Sequence, residues 1–437
     1  MSTFTLGVGG TESYLLTVAE QLQKMGHEVT VHAMEVDDSA NAAAVRGIRV
    51  VRGERDLPRS CDAVLAHDST VSLIHARLYP GTPQVFVCHS DHFAHQLPPQ
   101  LPGVTQALVV LSERIARRMR ALALDQEIVR LRQPVDLARF APRDLPRERA
   151  RRVLVLSGHT QHPRQRMIDE ACADLGLECE RVGFLTAMSL TPELAMTHAD
   201  VVVGKARVIV EAMACGRAAY VWDLNGGDGW VTPERYERLE ADNFGGQADP
   251  DVIDGARLRD DLRAYSPEMG VVNRDLAVLH HSAGRHAEEL VALIERLGPV
   301  PDRSQAPIRE LERAARAVRS FEVRAFHLVR ENDALRARLA ELDPGFVPDV
   351  ARPASAASEG RRARGRRLLS LGRDSLRERL RWRAWRLRVR LAHSQVPDLA
   401  AENEVLRRRL ELLGVEHDGL PGSTAEAVGD DPLTPRV

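Results

Sequence analysis

Apolar positions follow two alternating periods along the first three hundred residues. Leu15, Val18, Leu22 and Met25 recur at helical spacing, Gly26 follows as a stop, and residues 27–34 (HEVTVHAM) then alternate as a strand does. The same patterns predict strands at 63–66, 84–88, 107–111, 152–156, 201–203 and 218–222. They predict helices at 70–78, 113–121, 164–175, 207–215, part of 247–265, and 270–297. Such alternation argues for parallel sheets covered by helices, an α/β class. The Pro-broken, charged run RDLPRERARR at 143–152 separates two of these alternations and marks a domain boundary. Only MSTFTLGV precedes Gly9 and Gly10, so either the first strand is very short or the true start lies upstream; the second is favoured.

After residue 305 the period changes. Leu311, Val318, Ala325, Asn332 and Leu339 fit heptad position a, and Ala314, Phe321, Leu328, Leu335 and Leu342 fit position d. An Asn at an a position favours a fixed register and a dimer, so a coiled coil over 305–342 is expected to make a homodimer. The competing expectation is a long amphipathic helix packed on the body. LVRENDALRARLAEL at 328–342 is echoed by LAAENEVLRRRLELL at 399–413, which sets a second short coil at 396–414. Between them lie a linker at 343–365 and a basic amphipathic helix at 366–394; the Gly-, Pro- and acid-rich end, 415–437, is expected to be disordered.

The net charge of −2 hides an asymmetry: residues 361–390 hold thirteen Arg against two acids, a local +11. Lys24 and Lys205 are the only lysines, as GC-rich coding produces, so Arg runs carry less functional weight. Leu369, Leu376, Leu380, Leu387 and Leu391 form one apolar face of the basic helix, and Trp382, Trp385 and Val389 a second. That composition suits peripheral contact with an anionic membrane surface; a solvated helix, a nucleic-acid contact and a protein partner are the alternatives, and no nucleic-acid motif is present. Five cysteines without metal-type spacing, no signal-peptide pattern and no apolar stretch of the roughly 18 residues a spanning helix needs point to a cytoplasmic protein.

Two segments carry candidate chemistry. In GVGGTESYLL (7–16), Gly9 and Gly10 allow close backbone approach to a phosphate or sugar, and Thr11 is placed to cap the next helix; a plain structural turn is the alternative. ADVVVGKARVIVEAMACGRAAYVW (199–222) reads strand, turn, helix, Gly stop, strand. Lys205 and Arg207 stand at the helix start, where dipole and cations together favour a diphosphate. Glu211 is the single carboxylate on an otherwise apolar helix, four residues after Arg207. A surface ion pair of that spacing would be worth only about 0.3–0.5 kcal/mol; the apolar context argues for a purpose instead.

The EAMACG run and the strand before it resemble the C-terminal domain of GT-B, family-4-like retaining glycosyltransferases. GGTESYLLTVAEQLQKMGHEVTV (9–31), RQPVDLARFAP (132–142) and NGGDGWVTPE (225–234) resemble that family's opening segment, interdomain segment and Gly-Gly turn, in the family's order across 7–297. The resemblance implies two Rossmann-like domains (GT-B), at 1–142 and 149–297, ahead of the coiled-coil tail. It implies a hexosyltransferase-like, metal-independent enzyme with a nucleotide-sugar as substrate and no cofactor. Glu211 matches the ribose-binding Glu, Gly9 and Gly10 the turn facing the donor phosphate, Gly226 and Gly227 the turn after the donor helix, and His89 the His beside the reacting sugar. The alternative for His89 is a satisfied loop histidine, and Asp91 with His92 offers too few ligands for a metal.

The chain departs from that family pattern at two places. The first Glu of the family's pair, which contacts the donor sugar, falls on Val203. SGHTQHPRQR (157–166) lacks the usual Gly-Arg…Lys pattern, so the diphosphate cations would be Arg164 or Arg166, or Lys205 and Arg207, with Arg207 preferred. The expected activity is sugar transfer with retention to an acceptor hydroxyl, in surface polysaccharide or glycolipid synthesis. The rival expectation is a non-catalytic GT-B scaffold whose coiled coil mediates assembly; a nucleotide-sugar epimerase is a third.

Overall fold

The computed structural model describes residues 1–37, 39–90, 93–122, 126–157, 163–183, 191–223, 226–249, 253–298, 300, 305–342, 400, 403–408 and 410. The expected linker (343–365), basic helix (366–394) and C-terminal tail (415–437) lie outside the described residues, as do Asp91 and His92. Two compact units are present, Met1–Ala315 and Arg316–Val437.

The first sheet has seven parallel strands: β1 (Ser2–Leu6), β2 (Thr30–Val36), β3 (Arg49–Val51), β4 (Val64–Ala66), β5 (Gln84–Cys88), β6 (Ala107–Val110) and β7 (Glu127–Arg130), ordered β3-β2-β1-β4-β5-β6-β7. Helices α1 (Gly10–Lys24), α2 (Ser39–Val45), α3 (Ser69–Leu78) and α4 (Glu113–Ala121) connect them. Residues 2–6 form the short first strand, and it is central rather than peripheral. Alternation sorts the side chains: Val85, Val87 and Val109 enter one core, Phe86, Cys88 and Val110 the other. Asp68 and Ser112 cap α3 and α4, accepting from Thr70 N and Ile115 N at 2.7 and 3.1 Å.

The second sheet is smaller: β8 (Arg152–Leu156), β9 (Glu178–Val182), β10 (Val201–Gly204), β11 (Ala218–Asp223) and β12 (Gly226–Trp230), ordered β12-β11-β10-β8-β9, with only the β11–β12 pair antiparallel. Helices α5 (Pro163–Leu175), α6 (Pro192–His198), α7 (Arg207–Ala214), α8 (Pro233–Ala241), α9 (Gly255–Arg263), α10 (Pro267–His280) and α11 (Ala283–Leu297) follow in chain order.

The single helix expected over 270–297 is two helices. The segment between the sheets intrudes at the break: Val135 N donates to His281 O at 2.8 Å, Ala283 N donates to Val135 O at 3.1 Å, and His281 Nδ1 meets Gln133 O at 2.8 Å. Ser282 restarts the helix by capping Arg285 N. Beyond the break, α11 puts Ala287, Leu290 and Leu293 into the first core, so by packing it belongs with the first sheet although it follows the second in sequence.

Helix α12 (Gln305–Leu342) is continuous over 38 residues. Ile308, Leu311 and Ala315 pack on Leu73, Ala76 and Val104, as an amphipathic helix lying on the body does. In the second unit the pairing is coil-like: Leu335 and Leu339 cluster with Leu406 and Leu410, and Asn403 Nδ2 donates to Leu328 O at 2.9 Å. Glu331 accepts from both Asn403 and Arg407. Ascending positions pair with ascending positions, so the two segments run parallel. Within one chain, the echoed segment packs against this part of α12.

Candidate functional site

The second sheet presents its chemistry at the carboxyl ends of β8, β10 and β11. After β10 the chain turns into α7 through Gly204, Lys205 and Ala206. A Cβ on Gly204 would lie 2.6 Å from Val208 Cγ1 and 3.0 Å from Leu156 O, so only glycine fits. Ala206 is held at φ 50°, ψ −123°, with its N–H on Phe244 O at 3.0 Å. A non-glycine residue in that region carries strain, which concentrates at functional sites. Lys205 leaves this elbow to pair with Asp223, a buried carboxylate that also accepts from Ser157 Oγ at 2.8 Å. Three strand ends thus hold one lysine in place.

Helix α7 begins with Arg207, whose Nε donates to Glu211 Oε1 at 2.6 Å. Its other nitrogens reach Pro134 O at 3.1 Å and Thr17 Oγ1 of α1 at 3.0 Å. Arg207 therefore ties the second sheet's helix to the first sheet's opening helix. Burial pushes the Glu211 carboxyl up, against the pull of Arg207 and Arg139. Both residues line an open cleft, with Gly7 and Val8 after β1, Glu12 and Thr17 on α1, and Arg139.

The turn before α1 differs from expectation in one respect: Gly9 is the N-cap, with extended backbone and no side-chain cap, and Thr11 lies inside the helix. Glu12 folds over this terminus, its Oε2 2.5 Å from where a Gly9 Cβ would stand. The anion-favouring helix end accordingly faces a carboxylate of its own first turn.

His89 follows β5, and His67 follows β4; their Nε2 and Nδ1 atoms are 2.9 Å apart. The Tyr14 ring packs edge-on against His67, His89 and His286, with centroids 5.6, 4.9 and 5.3 Å away, and its hydroxyl meets His286 Nε2 at 2.7 Å. Burial, then the charges of Arg207 and His286, lower His89 to about 3. His89 is thus a neutral imidazole at ordinary pH, able to hydrogen-bond but not to carry charge.

The structure brings His89, Arg207 and Glu211 to one seam around α1. Gly9 and Gly10 open α1 beside that seam, and Lys205 stands two residues before Arg207 at the end of β10; the remaining expected residues do not line the cleft. Gly226 and Gly227 form strand β12 rather than a turn; Gly226 packs on the backbone of Gly246 and Gly227 on the Trp222 ring, and neither lines the cleft. Arg166 is exposed on α5, the helix that also contains Arg164. Val203 is fully buried in the core of β10. Among the described residues no group of three or more His, Cys, Asp and Glu is placed to hold a metal. No described helix is long and apolar enough to cross a membrane. Tyr14, His67, His286, Arg139 and Asp223 escape sequence reading. Only His67 left a signal, the helix-cap sequence Asp68-Ser69-Thr70 that marks the strand end beside it.

No protein-family model matches the sequence, and no curated protein does. Among solved structures, a glycosyltransferase from Rickettsia africae is similar over 68% of this chain and 97% of its own, with a TM-score of 0.50 at 12% identity. The chain has the GT-B fold. Another GT-B structure, HepE from Anabaena with UDP and glucose bound, covers 68% of this chain and 98% of its own at 13% identity and a TM-score of 0.44. At such identities the likeness is one of GT-B architecture, and chemistry has to be argued from the cleft.

Proposed function

We propose that the protein is a glycosyltransferase that binds a nucleoside-diphosphate sugar in the cleft beside α7 and passes its sugar to an acceptor hydroxyl with retention. The observation that carries this is the buried Glu211 carboxylate facing a cleft between two Rossmann-like sheets, outside the carboxyl ends of the strands. Glu211 would accept from the ribose hydroxyls. Lys205, steered by Asp223, and the cationic edge of Arg207 would take the charge that develops on the departing diphosphate, with the α7 dipole adding to both. In this reading those cations do the work of a metal. His89 lies near the same seam as a neutral hydrogen-bonding group for the reacting sugar. The glycosyltransferase name of the Rickettsia africae protein accords with this reading. The +11 stretch at 361–390 suits an anionic surface, so a glycolipid or surface-polysaccharide acceptor at the inner membrane face is the acceptor class we favour.

A second reading, a GT-B scaffold without turnover, is favoured by Val203 in the core and by Glu12 over the Gly9 turn. Thermal unfolding with UDP-, GDP- and dTDP-sugars separates the two, because a ligand well above its Kd raises the melting temperature by mass action. A rise with one donor, followed by release of its nucleoside diphosphate when acceptor is added, supports transfer. A rise without turnover leaves the scaffold; no rise with any donor removes the cleft assignment.

A further inference from the structure

β4 and β5 are adjacent parallel strands, and each is followed by a histidine: His67 after Ala66 and His89 after Cys88. The backbone of His67 is fixed on both sides. Its N–H donates to Ser2 O at 2.9 Å, and the next residue, Asp68, caps α3. His67 is buried, whereas His89 is half-buried. The two ring planes lie 24° from parallel with centres 5.1 Å apart, and His67 Nδ1 is 2.9 Å from His89 Nε2. That centre spacing is close to two ring radii plus one hydrogen bond. The rings therefore meet edge to edge through these nitrogens rather than face to face.

In a pair of neutral imidazoles joined this way, one ring donates and the other accepts. Burial holds both neutral, His67 well below the ordinary value and His89 at about 3. The direction of the bond is decided on the far side of His67. Its Nε2 is buried and has no hydrogen-bond partner among the described residues. The Tyr14 ring packs beside it, but the Tyr14 hydroxyl is engaged with His286 Nε2, while His286 Nδ1 donates to Arg132 O at 3.0 Å. A proton on His67 Nε2 would thus be a buried N–H without an acceptor, which folded proteins avoid more strictly than a bare acceptor. The His67 proton accordingly sits on Nδ1 and points at His89 Nε2. His89 accepts there and carries its own proton on Nδ1, an atom with no partner among the described residues.

We propose that His67 is a positioning residue: by donating to His89 Nε2 it fixes the proton of His89 on Nδ1, so that His89 meets a sugar oxygen as a hydrogen-bond donor. The sugar as ligand rests on the transfer reading above; the tautomer rests on the two rings alone. A sugar hydroxyl can donate or accept, so an imidazole free to exchange tautomers binds it in two orientations. A ring locked as donor holds the hydroxyl by its oxygen and leaves the hydroxyl proton for another acceptor. Without His67, the His89 ring would return to the tautomer usual in solution, with its proton on Nε2.

The test reads the proton positions by two-bond proton–nitrogen NMR correlation on the full-length protein with isotope-labelled histidine, at about pH 8, where ordinary imidazoles are neutral. His89→Gln identifies the His89 signals. Wild type should show His89 protonated on Nδ1. His67→Asn places an amide N–H close to where His67 Nδ1 stands and should keep that pattern. His67→Leu removes the donor and should shift His89 to the Nε2–H pattern. With a donor sugar identified by thermal unfolding, kcat should fall about tenfold in His67→Leu and be largely recovered in His67→Asn. Wild-type His89 protonated on Nε2 overturns the proposal, as does an unchanged His89 pattern in folded His67→Leu, or an equal loss of kcat in both variants. If His67→Leu does not fold, the wild-type and His67→Asn spectra decide. An Nδ1–H pattern without turnover of any donor counts against the transfer reading and leaves the tautomer assignment standing.

Discussion

The Arg207 guanidinium and the Glu211 carboxylate meet at 2.6 Å, each more than nine-tenths buried. Removing one partner of a buried ion pair strands the other, at a cost of about 3–5 kcal/mol. Glu211→Ala should therefore lower the melting temperature strongly. Glu211→Gln keeps a hydrogen-bond acceptor and should lower it less, while abolishing any donor-induced rise. A Gln variant whose donor response equals wild type would remove the ribose assignment.

Ala206 and Gly204 give opposite expectations at the same elbow. Ala206→Gly relieves a positive φ and should stabilise by about 1 kcal/mol. Gly204→Ala forces a methyl against Leu156 O and Val208, and should destabilise by about 1–3 kcal/mol while displacing α7. Denaturant melts of both variants check the pair; a destabilising Ala206→Gly would show that the turn is not strained.

His281 and His286 are almost fully buried, and burial lowers them to about 3 and about 4. Their folded values lie below the unfolded value near 6.5, so the unfolded chain binds more protons between those limits. The stability they contribute is present above about pH 6.5 and is lost as pH falls toward 4, at up to about 1.4 kcal/mol per pH unit for each. Melting temperature should fall across that window. His286→Gln, which keeps a partner for the Tyr14 hydroxyl, should flatten the fall; an unchanged slope would mean His286 is protonated in the folded state.

The parallel pairing of 328–342 with 403–410 lies within one chain. Leu335→Cys with Leu406→Cys, oxidised in dilute protein, should give a cross-linked monomer on a non-reducing gel. A cross-linked dimer would return the coil to its role as a contact between copies. Leu406→Asp should release the segment to proteolysis and leave the melting of the α/β body unchanged.

The sequence was most legible where one residue decides locally. β5, β8 and α4 have the boundaries that their apolar positions indicate. The missed strands β3, β7, β9 and β12 lie at sheet edges; Arg49, Glu127 and Glu178 on the first three blur the period, and β12 opens on two glycines. The break before α11 was invisible because Val135, remote in sequence, makes it. The seam around α1 divided in the same way. Arg207 and Glu211 share one helix and could be paired by spacing, whereas Tyr14, His67, His89 and His286 come from four separate elements and meet only on folding.

The two chain crossings between the sheets are bonded to each other at Val135 and Ser282. Separate crossings would let the halves slide or twist independently. Bound side by side they act as a pin, leaving rotation about one line as the easy motion. Pro134, which holds Arg207, sits on that pin next to Val135, so the cleft is anchored where such a rotation displaces atoms least.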